Sequence, residues 1–185
     1  MKPALIIVDM LKDTFNKHSD SFIAKEAVKF VPIMNMIASV FREKRFPVIF
    51  ACDSFLPGDF IFEGRMKPHS IRNTDGAEVI DELNRKTEDI ILEKRRFSAF
   101  FKTDLDQTLR TLGVDTAVVT GIATHVCVLT TALDALASDF NAVILKDCCA
   151  AHRQEYHDAV VNTYERGFVA PLFRINTSEE FLKEL

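Results

Sequence analysis

The sequence has no tryptophan, six glycines in 185 residues, and four cysteines without C-x-x-C spacing. Gly58, Gly64, Gly76, Gly113, Gly121 and Gly167 are too scattered to form G-x-G-x-x-G or a Walker loop. This excludes the usual glycine-built phosphate cradles, and with them a dinucleotide or nucleoside-triphosphate enzyme of standard design. Cys52, Cys127, Cys148 and Cys149 make no disulfide framework, since two of them are adjacent; they read as thiols of a reducing compartment. Positive charge is not in excess either. The 23 Lys+Arg against 27 Asp+Glu leave a net charge of -4 and a pI near 5.7, so no general field draws the chain to nucleic acid or anionic lipid. Long apolar runs are also missing: the one that follows Met1-Lys2-Pro3, from Ala4 to Val8, is interrupted by Asp9, too soon for a signal-peptide core or a membrane span. The expected setting is cytoplasmic, with neither nucleic acid nor membrane as a partner.

What is present is an apolar fraction of 48%, enough for one compact domain over residues 1–185. Short β-branched runs alternate with helical patterns, the signature of βα units around a mostly parallel sheet. Strands are predicted at 4–9, 47–52, 88–92, 115–120, 141–146 and roughly 168–173. Pro32 suits the first turn of a helix whose Ile33, Met34, Ile37, Val40 and Phe41 recur at helical spacing. Further helices are expected near 77–84, 104–112, 124–138 and 153–166. The fold class is thus α/β, a single Rossmann-like domain with a six-stranded sheet and helices on both faces. The longest stretch without periodicity, 54–75, reads as a functional loop.

In open α/β sheets ligands bind beyond the carboxyl ends of the strands. Reading off those positions gives Asp9, Asp53, Lys94, the stretch from Gly121 to Cys127, and Asp147. Cys127 falls in the first turn of the predicted helix, with Thr124 as its N-cap, where a helix N-terminus lowers a thiol's pKa and presents free N–H groups. A lone Cys in a core helix is ordinarily just a small buried residue. Asp9, however, closes an otherwise apolar strand, where a carboxylate costs desolvation energy unless it is paired or used. Lys94 is its natural cationic partner. Together the three supply a nucleophile, a base and a charge that tunes the base, all at one edge of one sheet.

Asp9 in LIIVDM, Lys94 in LEKRRFSAFFKTDLD and Cys127 in VVTGIATHVCVLTTALDA, followed by LKDCCA, closely resemble the isochorismatase-like cysteine hydrolases, which include nicotinamidases and N-carbamoylsarcosine amidases. The resemblance spans nearly the whole chain, and T-G-I-A-T-x-x-C-V is its most specific segment. It implies an Asp9-Lys94-Cys127 triad and an oxyanion hole formed by the N–H groups of Ala123 and Cys127. It also implies a non-proline cis peptide at Ile122-Ala123 and a homo-oligomer. The implied reaction is hydrolysis of the C–N bond of a small amide substrate, a carboxamide or N-carbamoyl compound, with release of ammonia.

The chain departs from the family in two places. Nicotinamidases carry a metal on an Asp-x-His after the second strand and a further downstream His; here Asp53-Ser54-Phe55 replaces the first, while His69 matches the second. Asp53 and His69 are then an incomplete site for zinc or another divalent metal unless Asp59 or Glu63 joins them, and no cofactor is required by the triad. With that ligand and every Trp absent, nicotinamide or pyrazinamide falls behind a linear N-carbamoyl or carboxamide substrate. Phe55, Phe97 and Phe100 are the expected apolar walls, among several phenylalanines nearby. The second departure is His125, where many relatives have Asp or Asn; it is expected at the pocket mouth. Lys94-Arg95-Arg96 offers arginines to a substrate carboxylate, and Asp134 and Asp147 read as structural. An isochorismatase-type vinyl ether hydrolase, which does not depend on a nucleophilic Cys, and a non-catalytic oligomer are the alternatives.

Overall fold

A computed structural model describes residues 1–167 and 169–185. Six strands form one parallel sheet: β1 (Pro3–Val8), β2 (Val48–Asp53), β3 (Ile90–Lys94), β4 (Thr116–Ile122), β5 (Asn141–Ala150) and β6 (Phe173–Asn176), in the order β3-β2-β1-β4-β5-β6. The helices are α1 (Phe22–Glu43), α2 (Leu105–Thr111), α3 (Leu129–Ala137), α4 (Gln154–Tyr164) and α5 (Ser178–Leu182). In β1, Leu5 and Ile7 belong to one core with α1 and α5, while Ala4, Ile6 and Val8 belong to a second with α2, α3 and α4. A strand covered on both faces must be apolar throughout, which is why the first strand shows no alternation. The crossovers leave β1 and β4 in opposite directions, so the crevice between their carboxyl ends is the topological switch point. No helix among the described residues is long and apolar enough to cross a membrane.

Four expected elements differ. The helix containing Pro32 begins ten residues earlier, at Phe22, behind a Ser21 cap whose side chain accepts from the Ala24 N–H at 3.3 Å. An interior proline costs a helix about 3 kcal/mol. Here Pro32 lies on the solvent face, while Ile23, Ala27, Phe30, Val31, Met34 and Phe41 bury the other side. No helix forms over 77–84. After a 3₁₀ turn at Asp75–Ala77 the chain runs extended, with Val79 bridged antiparallel to Leu11 and the Ile80 N–H bound to the Met10 carbonyl at 3.0 Å. Tertiary pairing with the segment after β1 overrides the helical spacing of Val79, Ile80 and Leu83. The last strand is Phe173–Asn176 rather than 168–173, and position 168 lies outside the described residues. Strand β5 also outruns its expected end at 146. Its pairing with β4 jumps from Val119↔Ile144 to Gly121↔Cys149, a bulge that turns Lys146 and Asp147 out of the ladder before pairing resumes.

Candidate active site

Strand register assembles the floor of the site. Asp53 and Lys94 are direct partners at the ends of β2 and β3, which brings two oppositely charged side chains out of the sheet together. Asp9 follows β1 with φ 53°, and its Oδ1 accepts the Asp53 N–H at 2.9 Å. Lys94 Nζ then donates to Asp9 Oδ2 at 2.8 Å and Asp53 Oδ1 at 2.5 Å. Across the switch point, β4 ends beside Val8. Gly121 stands there at φ 106°, and any Cβ would meet the Val8 carbonyl oxygen at 2.1 Å, so no other residue fits. After Gly121 the Ile122-Ala123 peptide is cis, and a single π-helical turn, Thr124–Val128, leads into α3. The residue that caps this turn is Ala123, not Thr124. Thr124 is fully buried, its Oγ1 3.0 Å from His157 Nδ1. Cys127 Sγ and one oxygen each of Asp9 and Asp53 all lie within 4.8 Å of one another. The N–H of Ala123 finds no acceptor among the described residues.

Burial and charge set the protonation of this cluster. Burial alone would lower the Lys94 pKa, but Asp53 and Asp9 beside it reverse the effect and hold the ammonium charged well above its usual range. Burial and the neighbouring Asp9 raise Asp53 to about 7, against the pull of Lys94. The Cys127 thiol is also driven well above its ordinary value, first by burial and then by Asp9 and Asp53, with Lys94 opposing. A thiol lowered by a helix N-terminus was expected. The direction is the opposite because the side chain is buried beside two carboxyl groups. Burial therefore favours the thiol form of Cys127, and Asp9 is one of the two carboxyl groups beside it.

Above this floor lies a cavity of about 280 Å³ lined by Asp9, Asp53, Ala123 and Cys127 below. Its walls are Leu11, Ile23, Met66, Phe97 and Val126, with Thr14, His69, Ser70 and His152 as polar points. Of the residues expected to form the pocket, Phe97 does line it, 39% exposed. Phe55 does not: it is fully buried, edge-on to Phe62 and His69. Phe100 lies in the second core against Phe140. His125 sits one ring back, packed on His152 and Tyr156, with its Nδ1 buried and unpartnered. Arg95 and Arg96 turn away to Asp59, which also takes the Leu56 N–H. Asp147 accepts from the Ser178 N–H and hydroxyl at 2.7 and 2.5 Å and so ties β5 to the first residue of α5. Cys52, Cys148 and Cys149 are buried thiols raised by burial, away from the cavity lining.

Sequence reading missed His152. The rule of scanning just past each strand would have found it had the strand been carried through its bulge to Ala150. It also missed Asp13, a buried carboxylate whose Oδ2 accepts the Ser70 N–H at 2.7 Å and whose Oδ1 meets Lys17 at 2.6 Å. Asp13 thereby ties the Thr14 turn to the His69-Ser70 wall. D-x-x-x-D from Asp9 to Asp13 was the available signal.

The isochorismatase domain model matches residues 3–174. The chain belongs to the isochorismatase family. Among solved structures it is similar to N-carbamoylsarcosine amidase from Thermoplasma acidophilum, with TM-score 0.82 and 32% identity over 97% of this chain and 98% of that one. Pyrazinamidase of Pyrococcus horikoshii, solved in complex with zinc, gives TM-score 0.82 at 26% identity over 96% and 99%. A ureidoacrylate amidohydrolase of Acinetobacter baylyi is 47% identical over 72 residues, 39% of this chain and 29% of that protein.

A metal such as the zinc of that pyrazinamidase complex does not suit the residues present. Asp53 gives an oxygen to Lys94, whose ammonium sits on both carboxylates of the Asp9, Asp53 and Cys127 group. A dication there would face that fixed positive charge. Phe55 has no donor atom, and Asp59 is held by two arginines. The Asp53 and His69 pair gains no third ligand from Asp59, and a catalytic zinc ordinarily takes three.

Proposed function

We propose that this isochorismatase-family chain is a cysteine amidase that hydrolyses the C–N bond of a small carboxamide or N-carbamoyl compound and releases ammonia. The observation that carries this reading is the buried contact of Cys127, Asp9 and Lys94 at the floor of a cavity, next to the unengaged N–H of Ala123. The names of the similar amidases point the same way.

In the proposed reaction Asp9 takes the thiol proton as Cys127 Sγ attacks the carbonyl carbon, and the C=O electron pair moves onto oxygen. Ala123 and Cys127 N–H groups hold that oxyanion; loss of one such donor typically costs about 10²–10³ in rate. Collapse expels ammonia, which takes the proton from Asp9, and leaves an acyl-cysteine. Water then attacks the thioester while Asp9 accepts its proton. The second collapse frees the acid and returns the proton to Sγ. With an N-carbamoyl substrate the acid is a carbamic acid, which loses CO₂. Lys94 stays charged throughout and keeps Asp9 oriented through its 2.8 Å contact with Oδ2.

The test is ammonia release over nicotinamide, pyrazinamide, N-carbamoylsarcosine and simple ureas, with Cys127→Ala as control and with zinc or manganese added in parallel. Turnover of a linear ureido compound by the parent protein and none by Cys127→Ala is expected. Undiminished ammonia release by Cys127→Ala would falsify the scheme. Nicotinamide as the best substrate would move the chain to the nicotinamidase reading with the same chemistry.

A further inference from the structure

We infer that the cavity selects amides and ureas whose far end is uncharged, and rejects those that end in a carboxylate. For turnover this rests on the amidase reading above; for binding it does not. The cations on the segments around the cavity are engaged elsewhere or absent from its lining; Arg153, beside His152, pairs with Glu155 at 3.3 Å. Lys94 is fully buried between Asp9 and Asp53 and reaches no further acceptor except the Arg96 carbonyl at 3.4 Å. Arg95 and Arg96, the residues next to it, are both drawn to Asp59. Arg72 donates to Ser54 at 2.9 Å and pairs with Glu93 at 3.2 Å, and Lys17 is on Asp13. Arg65 and Lys67 flank Met66 but are exposed and absent from the lining. No Arg or Lys lines the cavity among the described residues.

An anion entering this space would lose its water and meet two carboxyl groups, Asp9 and Asp53, balanced by one ammonium that already serves both. Burying a charge without a partner costs far more than burying a neutral polar group. The polar points that are available suit neutral partners: the Thr14 hydroxyl, Ser70, and the imidazoles of His69 and His152. Burial lowers the His152 pKa, so this ring meets a ligand as a neutral donor or acceptor. The remaining walls, Leu11, Ile23, Met66, Phe97 and Val126, fit a hydrocarbon body.

The experiment compares butylurea with N-carbamoyl-β-alanine, which share the ureido head and differ by an ethyl end against a carboxylate. Turnover is measured on the parent protein, and binding by calorimetry on Cys127→Ala, which keeps the cavity and removes the chemistry. Butylurea should be favoured by about tenfold or more in both, since the unpaired carboxylate must be desolvated. Met66→Arg, which supplies a cation from the wall, should narrow or reverse the preference, while Arg65→Ala/Lys67→Ala should leave it in place. Equal binding, preference for the anion, or no binding of butylurea overturns the inference. A binding preference for butylurea without turnover of either compound upholds it and removes the amidase reading instead.

Discussion

The floor of the site and its rim are built on opposite principles. On the floor, Asp9, Asp53, Lys94 and Cys127 sit at strand ends or in the turn after one, nearly inaccessible and committed to one another. On the rim, Met66 and Phe97 belong to irregular segments, and Phe97 is 39% exposed. Parallel register leaves the floor no freedom, because moving one strand by a residue would carry its charge to the other face of the sheet. The rim has no such constraint. Reaction type is therefore a property of the sheet, and choice of substrate a property of the loops, as is common where loops sit on a rigid scaffold.

Substitutions can break this contrast, and the largest effect is expected at the proposed nucleophile. Cys127→Ala should lower turnover by about 10⁴-fold or more without unfolding the protein, seen in single-turnover kinetics beside circular dichroism. Lys94→Met leaves two buried carboxyls without their cation and should cost about 3–5 kcal/mol in urea denaturation, as broken buried pairs do. Gly121→Ala places a Cβ on the Val8 carbonyl at a positive φ, and should cost about 3 kcal/mol or more. Against these, Phe97→Ala on the rim should change stability by no more than about 1 kcal/mol and shift KM a few-fold. A rim substitution as costly as one on the floor would end the distinction.

A pH measurement sharpens the same contrast, with an effect between those of the floor substitutions and that of Phe97→Ala. Asp53 is raised from an ordinary 3.8 to about 7 by burial and by Asp9, so the folded protein binds this proton more tightly than the unfolded chain does. Its contribution to stability is present below about pH 4 and is lost as pH rises through about 7. Denaturation midpoints of the parent protein should fall across that window relative to those of Asp53→Asn. A parent that gains stability against Asp53→Asn with rising pH would place the proton elsewhere in the cluster.

Legibility in the sequence followed the same division. Apolar strands buried on both faces announce themselves, and the residues just past them pointed to Asp9, Asp53, Lys94 and Cys127. Where position along the chain and position in space part company, reading failed. Lys146 and Asp147 seemed to end a strand that in fact bulges and continues to Ala150, which hid His152. Val79, Ile80 and Leu83 kept helical spacing in a segment that pairs with Leu11 instead. Phe55 and Phe100 looked like pocket walls because aromatic side chains in loops serve core and cavity alike, and composition does not tell them apart.

The cysteines and glycines divide along the same line. Sequence alone determined that there is no glycine-built phosphate cradle, that one cysteine of four opens a helix after a strand, and which aspartate and lysine stand at the neighbouring strand ends. Tertiary structure alone decided that Cys127 rests as a thiol and that the neighbouring arginines are spent on Asp59. It also decided that, among the described residues, no Arg or Lys lines the space above the sulfur. The first set depends on local pattern and strand order, which the chain carries along its length. The second depends on burial and on which charge reaches which partner, and those are quantities that exist only once distant segments have been folded against each other.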